Sequence, residues 1–303
     1  MPTLRRILRW TTRIVLCALA LVALLLLGGA GYQAIAGNVD PSRYPSPGQL
    51  IDVGGRRLHL YCTGQGSPTV VFEAGLGLGM VTWRHVQPRV SQITRACSYD
   101  RAGYGWSDSG PLPRTSDQIT NELHTLLEHG NVHAPLVFVG HSLGGLYARH
   151  YAAIYPSDVS GVVLVDSSHE DQGSPGGVMQ LVVRGANAVG VGRLLFRFGD
   201  EGLNAVYTSN KTNLAVNEEF AAIAKSFDEV RRTRASLGSR PLVVITAGNS
   251  DTGDWHVLQL DLLSRSTNSR RIVAQGSGHY VHDEQPDLVI AAIRETVENS
   301  RQY

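Results

Sequence analysis

Ser142 stands in Gly140-His141-Ser142-Leu143-Gly144, directly after the apolar run Leu136 to Val139 and directly before residues at helical spacing. A serine hydroxyl is a weak nucleophile at neutral pH. Attack on an acyl carbon therefore needs a base within hydrogen-bond reach and a third group that holds the base. It also needs the serine to stand clear of its strand on a sharp turn, and the flanking glycines leave room for a backbone that any Cβ would obstruct. Leu143 would then offer its backbone N–H at a helix start, where it can help hold an oxyanion.

The chain order expected for such a turn is serine, then acid, then histidine. His279 follows the last strand-like run on a loop at a strand's carboxyl end, where sites in open α/β sheets collect, and is the expected base; its neighbour His282 is the rival. Asp251, reached from the run Leu242 to Thr246 through Ala247-Gly248-Asn249-Ser250, is the expected acid. Asp166, which ends the run Gly161 to Val165, and Asp254 are the alternatives, and Asp166 also suits a capping role toward the next segment's backbone donors. A second oxyanion donor is expected from the N–H of Leu76 in Glu73-Ala74-Gly75-Leu76-Gly77. No Gly-Lys-Ser/Thr follows those glycines, which argues against a phosphate cradle.

These residues need a scaffold. Leu50 to Val53 and Arg57 to Tyr61 alternate around Gly54-Gly55 as a hairpin. Val70 to Phe72, Ala96 to Tyr99, Leu136 to Val139, Gly161 to Val165, Leu242 to Thr246 and Arg271 to Ala274 read as further strands. Helical stretches fall around Trp83 to Val90, Ser116 to His129, after the Ser142 turn to Tyr155, and over Pro286 to Glu298. This alternation predicts a mostly parallel sheet with helices on both faces. Residues 167–240 interrupt it for 74 positions, too long for a loop; with helical patterns over Val178 to Ala188, Val191 to Phe198 and Leu214 to Ala235, the segment reads as a lid.

Residues 1–36 read as a membrane segment. Arg5, Arg6, Arg9 and Arg13 precede an uncharged stretch from Ile14 to Gly31, about 27 Å of helix and close to a bilayer core. The arginines orient the rest of the chain, residues 50–303, to the outer face of the membrane. The alternative is a cleaved signal and a secreted protein, since Ala34-Ile35-Ala36 has the form a signal peptidase accepts. Residues 37–49 carry three prolines and read as a stalk.

The balance of 27 basic and 26 acidic residues, with two lysines and no basic stripe, argues against a nucleic-acid partner. Cys17, Cys62 and Cys97 have no metal-ligand spacing, so zinc is not expected.

Taken with Ala74-Gly75-Leu76, Tyr99 to Asp108, Gly278-His279 and the trailing Glu284 and Pro286, the serine turn resembles the α/β-hydrolase fold family from about Leu50 to the C-terminus. The resemblance implies an eight-stranded sheet with its second strand antiparallel, a lid after the sixth strand and no cofactor. It implies a serine esterase acting on a small or lipid-like acyl ester. Thioesterase, amidase and lactonase chemistry, or a non-catalytic ligand-binding relative, are the alternatives. Two departures stand out: Ala74 replaces the histidine of the family's HG loop, and Ser142 replaces the aspartate of dehalogenases and epoxide hydrolases, which disfavours their chemistry. The family's sheet makes the second and fourth strands neighbours, so Cys62 and Cys97 are expected either to pair, given export, or to stay buried thiols.

Overall fold

The apolar runs pair into one sheet. A computed structural model describes residues 2–38, 43–195, 201–234 and 236–301. After helix α1 (Pro2–Ala36) come β1 (Gln49–Asp52), β2 (Arg57–Thr63), β3 (Thr69–Glu73), α2 (Gln87–Val90), β4 (Ala96–Tyr99), α3 (Ser116–His129), β5 (Leu136–His141), α4 (Leu143–Ile154) and β6 (Val159–Val165). Among the described residues five helices follow: α5 (Gly177–Ala188), α6 (Val191–Leu195), α7 (Glu201–Tyr207), α8 (Asn210–Ala221) and α9 (Ile223–Thr233). The chain then returns through β7 (Leu242–Ala247), α10 (Gly253–Asp261), β8 (Ser269–Ala274), α11 (Val281–Glu284) and α12 (Pro286–Ser300).

The strand order is β1-β2-β4-β3-β5-β6-β7-β8. β2 pairs antiparallel with both β1 and β4, and the remaining pairs are parallel. The fold is thus the eight-stranded, mostly parallel α/β sheet with its second strand reversed.

Strand alternation divides the core. Val71, Phe138, Leu164 and Val244 pack with Leu123, Leu126 and Leu127 of α3 and Tyr151 of α4. Their sequence neighbours Val70, Val137, Val163 and Val243 pack on the opposite face with Trp83 and with Val289, Ile293 and Val297 of α12. The central strands are apolar at nearly every position because both faces are covered.

Several expectations shift in detail. The helix over Trp83 to Val90 is a 3-10 turn, Met80–Trp83, and the single turn α2. Pro88 cannot donate an N–H, and it stands at the start of α2, where that loss costs least. Leu214 to Ala235 is two helices, α8 and α9, meeting at Ala222; Ala235 itself lies outside the described residues. Of Val191 to Phe198, α6 covers the described part, and Phe198 lies outside it. Helix α10 has no counterpart in the sequence reading.

The Ile14–Gly31 stretch is helical within α1, and Arg6–Ala36 is long and apolar enough to cross a membrane, with none of its most apolar window buried against the domain. Register places Cys62 opposite Cys97 across β2 and β4, and the two form a disulfide. It closes a loop of 35 residues. Replacing both cysteines by serine is expected to lower the urea unfolding free energy by about 3–4 kcal/mol, the loop-entropy value for that length; an unchanged midpoint would contradict a bond formed in the mature protein.

Candidate active site

Strand register sets the level of the site. His141 and Val165 are partners across β5 and β6, so Ser142 and Asp166 leave the sheet side by side. Both take the left-handed backbone that side chains other than glycine rarely adopt: Ser142 has φ 53° and Asp166 φ 42°. Such strain persists only where surrounding contacts hold it. At Ser142 the backbone N–H donates to the Val165 carbonyl at 3.1 Å, while its own carbonyl accepts from Gly145 and Ser168 at 3.0 and 2.9 Å. The turn is packed too tightly for side chains around it. A Cβ on Gly144 would stand 2.3 Å from the Glu73 carbonyl oxygen, and one on Gly75 would stand 3.3 Å from the Ser142 Cβ.

Asp166 is buried at 1% exposure and every contact of its carboxylate is directional. Oδ1 accepts from the Ala247 backbone N–H at 3.0 Å and from the Trp255 indole at 3.1 Å. Oδ2 lies 2.6 Å from His279 Nδ1, which donates to it and so turns the opposite ring nitrogen, Nε2, away from the carboxylate. The His279 ring is partly exposed while its carboxylate partner is not. The His279 carbonyl accepts from His141 Nε2 at 3.0 Å, which ties the His279 backbone to the last residue of β5, next to Ser142.

Asp251, expected to orient His279, is not its partner. It lies six residues past Ile245, the β7 residue level with Val165, and turns away to Arg271 of β8 and to His256 Nδ1 at 2.9 Å. Burial opposes ionisation of Asp251, but the bonds from His256 and Arg271 win and hold its carboxyl below the usual range. Asp254 is exposed in the first turn of α10. The structure thus replaces Asp251 by Asp166 as the carboxylate on His279. The register explains why: a residue immediately after its strand shares the level of Ser142, whereas Asp251 sits beyond an intervening turn.

The rival histidine is also located. His282 is buried beside Trp83, and its Nε2 pairs with the Thr82 hydroxyl at 2.8 Å. Its ring centroid lies 4.4 Å from that of His141, so it packs under the site as a structural group.

Leu143 opens α4, and Leu76 sits on the loop that Gly75 presses against Ser142. Both leucines pack with Ile223 of α9 and Phe220 of α8, so the lid's apolar side chains reach the same corner. The loop itself is clamped by a residue whose role the sequence did not disclose. Buried Arg101 donates to the Ala74 carbonyl at 2.6 Å and to the Gly75 carbonyl at 2.8 Å. It pairs with Glu73 and with Glu219 of α8, each at 2.9 Å. Asp100, next in the chain, accepts from the Tyr207 hydroxyl of α7 at 2.7 Å. Two lid helices are therefore bonded to the segment that holds the Leu76 loop. Among the described residues no cluster of metal-ligating side chains occurs.

Burial pushes the His282 imidazole down to about 3, and burial likewise holds His141 well below the ordinary histidine range. A histidine depressed by folding contributes stability that is fully present above the unfolded value near 6.5 and is lost as the pH falls toward the folded value. The difference in urea unfolding free energy between wild type and His282→Gln is therefore expected to shrink as the pH drops from 6.5 toward 3, by at most about 1.4 kcal/mol per pH unit. A difference independent of pH would contradict an uncharged buried His282.

A model of the alpha/beta hydrolase family matches residues 70–292. The uncharacterized protein YqjL of Bacillus subtilis (strain 168) is 29% identical over 235 residues, covering 76% of this chain and 83% of that protein. Among solved structures, the enol-lactonase from Burkholderia xenovorans LB400 is similar with a TM-score of 0.66 at 21% identity, covering 82% of this chain and 100% of that one. A thermophilic esterase from Thermogutta terrifontis is similar with a TM-score of 0.65 at 20% identity, over 83% and 97% of the two chains. With the family model spanning the sheet from β3 to α12 and enclosing Ser142, Asp166 and His279, the chain belongs to the alpha/beta hydrolase family.

Proposed function

We propose that this protein is a membrane-anchored serine hydrolase that cleaves an acyl ester through Ser142, His279 and Asp166. The observation that carries the reading is the Asp166–His279 pair at 2.6 Å beside a serine on a left-handed turn at the end of β5. Asp166 holds His279 in the tautomer with Nδ1 protonated, and Nε2 takes the Ser142 proton as Oγ attacks the acyl carbon. The negative charge that develops on the carbonyl oxygen is received by the N–H groups of Leu143 and Leu76, each contributing about 3 kcal/mol in the transition state. Collapse breaks the ester C–O bond, and His279 returns its proton to the leaving alcohol. Water, activated by the same histidine, then attacks the acyl-enzyme and frees the carboxylic acid and Ser142.

The substrate is read from the corner near the two donors. Phe220 and Ile223 pack there with Leu76 and Leu143, and Val216 Cγ2 would lie 3.9 Å from a Cβ on Gly77. An apolar acyl group suits these walls. The Cys62–Cys97 disulfide supports an oxidising compartment, in keeping with α1 crossing the membrane, its N-terminal arginines inside and the domain outside.

A fluorophosphonate probe is expected to label the wild-type chain and to leave Ser142→Ala unlabelled; equal labelling of both would sink the reading. On nitrophenyl esters, Asp166→Asn is expected to lower kcat by about ten-thousand-fold, the loss seen when a buried carboxylate no longer sets the histidine tautomer. Asp251→Asn should change kcat by less than about tenfold, since its partners are Arg271 and His256. The opposite ranking of the two variants would contradict the assignment.

A further inference from the structure

Helix α5 is packed inside out. Its polar residues Gln180, Arg184 and Asn187 recur at i, i+4 and i+7 and so share one side. That side meets the protein: Asn187 Nδ2 donates to Asn217 Oδ1 of α8 at 2.8 Å, and Arg184 pairs with Glu218 of α8 at 3.7 Å. Val183 and Ala186 are half-buried, but most of the apolar surface points away, with Val178 78%, Leu181 70% and Val182 58% exposed. Leu194 and Leu195 of α6 extend the exposed apolar surface, and no acidic residue occurs from 177 to 195. A helix on a water-soluble surface has the reverse arrangement, and a continuous apolar face of this kind marks an interaction surface.

A second observation identifies what covers it. The outer end of α1 is built into the same part of the lid. Gln33 is buried; its Nε2 donates to the Thr208 carbonyl at 3.1 Å and to Asn210 Oδ1 at 3.0 Å. Arg193 of α6 donates to Gln33 Oε1 and to the Ala36 carbonyl, each at 2.7 Å. A cation at that carbonyl, the last residue of α1, complements the helix's C-terminal end. The Asn210 N–H donates to the Gly37 carbonyl at 2.8 Å. At Gly29 a Cβ would stand 2.8 Å from the Val189 carbonyl oxygen, just past α5. Gly29 lies seven residues before the end of α1. The lid helices therefore meet α1 in its last two turns or so, the end that would leave the hydrocarbon on the anchor reading.

We propose that the apolar face of α5 and α6 rests in the boundary between acyl chains and headgroups of the bilayer that α1 crosses, so that anchor and lid form one membrane-bound unit. This rests on the anchor reading given above. The occupant is lipid rather than a second protein because the face is continuous with the end of the membrane helix. It is aliphatic and free of acidic residues, the composition of an interfacial helix.

The test uses the full chain reconstituted in phosphatidylcholine vesicles with or without brominated acyl chains. Tryptophan is introduced as Leu181→Trp on α5, or as Leu112→Trp in the loop before α3 as a control that is also exposed. The emission added by the Leu181→Trp reporter is expected to fall at least about twofold in brominated vesicles, while that of the Leu112→Trp reporter stays unchanged. Equal quenching of the two reporters, in chain that remains with the vesicles after an alkaline carbonate wash, would overturn the seating of the lid and leave the anchor standing. Release of the chain by the wash would overturn the anchor reading, and this inference with it.

Discussion

One hydrogen bond organises the site: the 2.6 Å contact between Asp166 Oδ2 and His279 Nδ1. It joins a residue at the end of β6 to a loop after β8, with β7 between them in the sheet. The bond is made only because Asp166 adopts a left-handed backbone as it leaves its strand, and that conformation is held by the Ile245 carbonyl at its N–H and by Ala247 and Trp255 at its carboxylate. Three donors on a buried carboxylate hold it immobile, the condition for fixing an imidazole in one orientation. Ser142 meets the matching requirement at the end of β5, and the β5–β6 register brings the two strained residues to the same level.

The lid is not a separate cover laid over this arrangement. Arg101 spans the Glu73 and Glu219 carboxylates and the carbonyls of Ala74 and Gly75, so one guanidinium links lid helix α8 to the loop that carries Leu76. A buried charge of this kind adds little net stability when fully paired, but losing one partner leaves an uncompensated ion, which makes the geometry hard to relax. Tyr207 on Asp100, and Lys211 on the carbonyls of Gly105 and Ser107, add further bonds from the lid to the segment after β4. On its other side the lid receives the end of α1 through Gln33 and Arg193. Helix α1, the lid helices and the loop that carries Leu76 thus form a chain of direct polar contacts.

Much of this was legible in the residue order. Eight strands could be read from period-two alternation and apolar runs because both sheet faces are buried, and the serine turn from glycines that leave room for close backbone contacts. His279 could be read from its place after the last strand. The choice of carboxylate could not, because Asp166 and Asp251 both follow parallel strands at their carboxyl ends, and only the register shows that one emerges level with Ser142 and the other past a turn. Arg101 lay within the Tyr99 to Asp108 segment that carried the family resemblance, yet its partners Glu73 and Glu219 are far apart in sequence. The break between α8 and α9 is not legible in the residue order, because Ala222 is a good helix former with no stop signal beside it.

The account turns on Asp166 being the group that fixes His279. Proton NMR of histidine-15N-labelled protein tests this most directly. A hydrogen bond of this length to a buried carboxylate is expected to give one strongly downfield Nδ1–H resonance, present in wild type and in Asp251→Asn and absent in Asp166→Asn. A resonance that survives Asp166→Asn and disappears in Asp251→Asn would contradict it.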